Sequence, residues 1–308
     1  MPEDPLADAK PRAVKPVGKS CKPSDGGGLF LFVQPSGGKL WRWKSASERL
    51  GSNWRLSDRG GTMSDTFDVY GYLSDESEQF RIEQRERTPG EFAQVEQTVA
   101  SALVQFHSIG SGHATPGAIV ALGFWLRCLE TCQGVVLLTE RGMAASALAL
   151  LRTAYECLFY ACALWRKPEL AGKMEAAHHF ERTKQARAML DAGRDRLDAT
   201  RLAELETIAA ETYPQASFSA WDAAFASDLR FEYEAAYRGL GIGGAHATLR
   251  SLDGYHTVQP DGSFDLVAEP DSERVSWILG LVDTCIRCGM QRLRREIDFG
   301  SPDSSGSP

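Results

Sequence analysis

The sequence predicts a mainly α protein: a multi-helix bundle over residues 91–298, with a small N-terminal β-hairpin fragment and one β-hairpin before the last helix. Three observations carry that prediction. Residues 91–107 place Phe92, Val95, Val99, Ala102, Leu103 and Phe106 at the three- and four-residue spacing of an amphipathic helix. Residues 116–140 and 142–165 are apolar on nearly every face, the pattern of helices enclosed by a core rather than resting on it. Pro116, Gly142 and Pro168 mark the ends of these runs, as a first-turn residue, a turn and a break.

The remaining elements follow in order. Residues 29–33 are a short apolar strand, 35–38 a turn, and 40–44 an alternation of apolar and basic side chains, which together read as a hairpin. Residues 45–90 are rich in Ser, Gly, Asp and Arg and are expected to be a mostly disordered linker with one short strand near 67–73. The domain boundary is therefore set at about residue 90. More polar helices are expected over 169–192 and 197–213, and shorter ones over 218–226 and 231–238. The run GLGIGGAHATL, residues 239–249, is a glycine-rich turn leading to His246. Residues 257–268 read as a hairpin around Pro260-Asp261-Gly262, residues 275–297 as the last helix, and residues 299–308 as a disordered tail.

Charge divides the chain. Residues 1–44 hold eight Lys and Arg against four Asp and Glu, a net +4, whereas the rest of the chain carries −11. Any nucleic-acid contact of the ordinary electrostatic kind is therefore expected from the arm and not from the body. Seven cysteines without regular spacing, and an N-terminus without an apolar signal segment, lead to an expectation of reduced thiols and a cytoplasmic location. The two long apolar runs are interrupted by Arg127 and Glu130 and by Arg152 and Glu156, so both are expected to be core helices rather than membrane spans.

The candidate site is built on the second of those runs. Arg152 and Glu156 are its only strongly charged side chains, and their spacing places them on one helix face, one turn apart. Such a pair is either a structural ion pair or a polar focus, in which Arg holds a phosphate or carboxylate while Glu orients it or takes a proton. His246 follows a flexible turn and could bring acid/base chemistry near neutral pH to the same helix. Arg152, Glu156 and His246 are accordingly the candidate catalytic residues. Arg250 and His256 form a second Arg/His spacing of the kind found in ribonucleases. The paired cysteines, including Cys128 and Cys132 and the Cys285-Ile-Arg-Cys288 segment, lie within helical patterns where Cys packs as a small apolar residue. No metal and no cofactor is expected.

Two resemblances add to this reading. The words Asp8-Ala9-Lys10, Lys15-Pro16, Ser24 to Leu29, Pro35 to Lys39 and Trp41 resemble the start of the arm-type DNA-binding domain of phage integrases of the tyrosine recombinase class. The likeness covers residues 6–44 and implies DNA binding, for which Lys39, Arg42 and Lys44 are the candidate contacts. It does not extend to recombination, because the His-x-x-Arg box and C-terminal tyrosine nucleophile of that class have no counterpart. Residues 92–295 resemble a bacterial helical family of unknown function. Its marks are an Arg-x-x-x-Glu segment, here Arg152 to Glu156, and a Tyr-x-x-Leu segment leading to a histidine, here Tyr237, Leu240 and His246. That family is distantly similar to HEPN and abortive-infection proteins, which implies action on RNA or a nucleotide in phage defence. The expected protein is thus a helical bundle linked to a mobile element or phage defence. The alternative is a DNA-binding remnant of an integrase fused to an unrelated helical domain.

Overall fold

The computed structural model describes residues 29–33, 39–43, 67, 70–109, 115–258, 264–266 and 269–299. The chain divides into two compact units, residues 1–64 with 247–269, and residues 65–246 with 270–308. The smaller unit contains two antiparallel hairpins. Strand β1 (Leu29–Val33) pairs with β2 (Lys39–Trp43), Leu29 opposite Trp43 and Val33 opposite Lys39. Strand β3 (His256–Val258) pairs with β4 (Phe264–Leu266), His256 opposite Leu266. Both hairpins stand where the alternation and turn residues place them. The expected tail, residues 300–308, and most of the expected linker, residues 45–66, lie outside the described residues.

The larger unit is the helical bundle. Its helices are α1 (Glu76–Arg87), α2 (Pro89–Ser108), α3 (Pro116–Thr139), α4 (Ala144–Arg166), α5 (Leu170–Gly193), α6 (Ala199–Ala210), α7 (Ala220–Ala226), a helical run α8 over residues 230–245, and α9 (Val275–Phe299). The core forms where α3, α4 and α9 meet. Leu151, Ala154, Tyr155, Leu158, Phe159 and Leu164 of α4 are sealed from solvent, as are Trp125 and Leu129 of α3 and Ile278, Leu279 and Val282 of α9. Each such large side chain contributes about 1.5–3 kcal/mol on leaving water. The Tyr155 hydroxyl meets its burial cost by donating to the Leu281 carbonyl, 3.1 Å away. Helix α2 is tied to α9 by the Thr98 hydroxyl donating to Asp283 (2.6 Å) and by Gln105 donating to the Met290 carbonyl (3.0 Å).

The turn between α3 and α4 is built on Gly142, whose φ of +74° lies in the left-handed region. A Cβ there would fall 2.5 Å from the Cβ of Pro270, so no other residue fits. Its carbonyl accepts from the Asp271 amide at 3.0 Å, which fastens the entry of α9 to the turn.

The expected boundary at residue 90 needs correction. Residues 76–87, assigned by composition to a disordered linker, form α1, and the expected strand near 67–73 is replaced by a short 3-10 turn at Gly71–Leu73. The cause is electrostatic rather than apolar. Glu140, only 2% exposed at the end of α3, is neutralised by Arg85 of α1 at 2.7 Å and by Arg141 at 2.8 Å. Arg85 also pairs with Glu96 at 2.7 Å and lies 4.8 Å from the Phe92 ring centroid. A buried carboxylate left without these guanidinium groups would be costly, so Glu140 holds α1 on the bundle. Residues 247–269 also depart from the expected domain limits, grouping with the N-terminal unit.

Candidate functional site

Helix α4 presents Arg152, Glu156 and Tyr160 at four-residue intervals, the only break in its apolar surface. Arg152 and Glu156 keep 25% and 37% of their side chains exposed, and their charged ends approach to 3.8 Å. That is a loose, half-solvated pair and accounts for little stability. The groups are held by α8 rather than by each other. Tyr237 donates its hydroxyl to Glu156 Oε2 at 3.1 Å, and its ring lies beneath the Arg152 guanidinium, 4.2 Å from Cζ to centroid. A cation over a partly desolvated ring is worth about 0.5–2 kcal/mol. Burial, followed by the negative charge of Glu156, pushes the Tyr237 phenol up to about 12, so it stays protonated and acts as a donor at neutral pH. Tyr160 is pushed up to about 12 by the same two causes in the same order.

The run α8 departs from α-helical geometry twice, with π turns at Tyr233–Tyr237 and Gly241–Ala245. Wide turns of this kind shift the side chains that follow relative to a regular helix. Here the first ends on Tyr237 and the second delivers His246, whose amide donates to the Gly241 carbonyl at 3.1 Å. A Cβ on Gly241 would lie 3.3 Å from Arg152 Nε and 3.6 Å from His246 Nε2, so the two side chains are neighbours across one glycine. Gly244 lets the turn reach α4 at all, because a Cβ there would fall 2.6 Å from Leu148 Cβ and 3.1 Å from the Ala149 amide nitrogen. The Nε of Arg152 is buried and has no hydrogen-bond acceptor among the described residues, while its remaining donors face the partly open side.

The three residues expected to form the site, Arg152, Glu156 and His246, are thus brought together. Sequence reasoning missed Tyr237 as a member. Its signal was present in the Tyr-x-x-Leu segment, but a 3.6-residue reading of α8 gives no reason to aim it at Glu156. Arg250 and His256 lie in the other unit, where His256 Nδ1 is 2.9 Å from the Leu252 carbonyl. Lys39 and Arg42 lie on β2, and Lys44 falls outside the described residues.

The cysteines gather in the core. The sulfur atoms of Cys128, Cys132 and Cys285 lie within 4.8 Å of one another, all three residues fully buried. Hydrogen bonding to Cys132, together with burial, holds the Cys128 thiol well above its usual range, and burial with the neighbouring thiols does the same for Cys285. They pack as small apolar side chains.

This α4–α8 geometry falls inside a recognised segment. Residues 118–264 match a family of unknown function, DUF5677. The DUF5677 segment takes in α3 to α8 and contains Arg152, Glu156, Tyr237 and His246, whereas α1, α2 and α9 lie outside it. No curated protein and no solved structure matches the chain.

Proposed function

We propose that the helical bundle acts on a phosphate ester, RNA or a nucleotide, through Arg152, Glu156 and His246, in the setting of a mobile element or phage defence. The observation that carries this reading is the meeting of Arg152 and His246 across Gly241. The guanidinium supplies planar, permanently charged donors for a phosphate. The imidazole, exposed at the end of the π turn, supplies proton transfer near neutral pH. On RNA, His246 takes the proton of a 2′-hydroxyl as its oxygen bonds to phosphorus, the bond from phosphorus to the 5′ oxygen breaks, and that oxygen takes a proton from water. Glu156, fixed by the Tyr237 hydroxyl, holds Arg152 in place through the step. The similarity of the body to HEPN and abortive-infection proteins supports the same substrate class.

Incubation of the full chain with single-stranded RNA is expected to give cleavage that falls by about 10²-fold or more in Arg152→Ala and in His246→Ala, the scale of a lost acid/base group. Far-UV circular dichroism of both variants should match the parent, since neither side chain belongs to the core. Undiminished cleavage in both variants would remove the assignment.

A second reading is favoured by the β1–β2 hairpin, which forms within the integrase-like residues 6–44. In this reading the arm binds DNA through Lys39, Arg42 and Lys44, with affinity that drops steeply as salt rises. Filter binding at two salt concentrations tests it; a chain beginning at residue 88 that binds duplex DNA equally well rules the arm out.

A further inference from the structure

Helices α3 and α4 are each long and apolar enough to cross a membrane, yet they are buried to different extents. Within their most apolar windows 67% of α4 is buried but only 39% of α3. The uncovered part of α3 is ordered. Ile119, Gly123, Leu126, Glu130, Gln133 and Leu137 are all exposed, at alternating intervals of four and three residues, which is the seam of a helix that pairs with another helix. Ile119 is 59% exposed, Leu126 41% and Leu137 56%, and Val120 flanks the seam at 41%. The only charges on this face are Arg127 and Glu130, and neither has an ion-pair partner among the described residues.

We propose that this face receives a second copy of the chain, α3 against α3, antiparallel about a two-fold axis passing close to Cys128. Ile119 then lies opposite Leu137, Gly123 opposite Gln133, and Leu126 opposite Glu130, each pair equidistant from residue 128, and the axis repeats every contact. Arg127 comes within one residue's rise, about 1.5 Å along the axis, of Glu130 of the second copy. The two unpaired charges thus answer each other across the axis. A parallel pairing would instead set Arg127 against Arg127. Gly123 leaves the space that Gln133 of the second copy requires, since a Cβ there meets nothing within 4 Å. A lipid bilayer is a poorer occupant, because it would place Arg127 and Glu130 in hydrocarbon at the middle of the seam.

Size-exclusion chromatography with light scattering on the full chain tests this across the micromolar range. Twice the chain mass is expected, with monomer for Leu126→Glu and for Leu137→Glu. Arg127→Glu should weaken the dimer about tenfold or more, and the double variant Arg127→Glu with Glu130→Arg should restore it. Restoration is a readout that a merely sticky surface cannot give. A wild-type monomer throughout the range, a dimer that survives both leucine variants, failure of the charge swap, or a monomer that floats with lipid vesicles would each overturn the proposal.

Discussion

Gly244→Val is expected to lower the melting temperature of the bundle and to separate His246 from Arg152. The Cβ of any larger residue at this position lands 2.6 Å from Leu148 Cβ and 3.1 Å from the Ala149 nitrogen. The backbone of α4 cannot move aside, because Ala147, Leu148 and Leu151 around it are fully packed. Overpacking of this kind costs about 1–3 kcal/mol, which for a domain of this size is roughly 2–4 °C for each kcal/mol. The strain is relieved most readily by lifting the π turn, so hydrogen exchange should accelerate over residues 241–246 while α3 and α9 remain protected. Gly243→Ala is the control: a Cβ there meets nothing within 4 Å, and its melting temperature should be nearly unchanged. An equal loss for Gly243→Ala would show that the turn needs glycine for flexibility and not for its close approach to α4.

Gly289→Ala is expected to destabilise the bundle by a similar amount without touching the candidate site. Here the added Cβ would sit 2.2 Å and 2.4 Å from two ring carbons of Trp125, itself 1% exposed, and 3.0 Å from a Leu158 methyl. The indole is confined between α3, α4 and α9, so α9 must move out. Chemical denaturation should show a lower midpoint with an unchanged slope, the mark of lost stability in an unaltered fold. The paired variant Gly289→Ala with Trp125→Phe should recover part of the loss, because a smaller ring vacates the contact. Absence of any recovery would place the cost elsewhere.

The two variants separate what the sequence states from what only packing states. Helices α2, α3, α4 and α9 were legible because their apolar residues recur with the helical period, and because proline or glycine marks their ends. The placement of Arg152 and Glu156 on one face followed from spacing alone. Helix α1 was not legible. Its sequence ESEQFRIEQRER carries only Phe80 and Ile82 as apolar residues, and what docks it is Arg85 reaching a buried Glu140 that lies 55 positions away. Nothing local records such a partner. Tyr237 was missed for a related reason: its aim depends on a π turn, and turn width is set by what α8 packs against rather than by its own composition. The juxtaposition of His246 with Arg152 lay between these cases. Glycines at 239, 241, 243 and 244 announced a tight approach, but only the fold says that Gly241 and Gly244 make it while Gly239 and Gly243 do not.

The two π turns have a consequence for how this segment tolerates change in length. Each holds a residue more than a regular turn would, so deleting one residue from 233–237 or 241–245 would let that turn relax into ordinary α-helix. Everything downstream would then rotate by about 100° around the helix axis. Substitutions in α8 are therefore local events, but a single-codon deletion is a change of phase: it would leave every residue of the site in the chain and turn His246 away from Arg152.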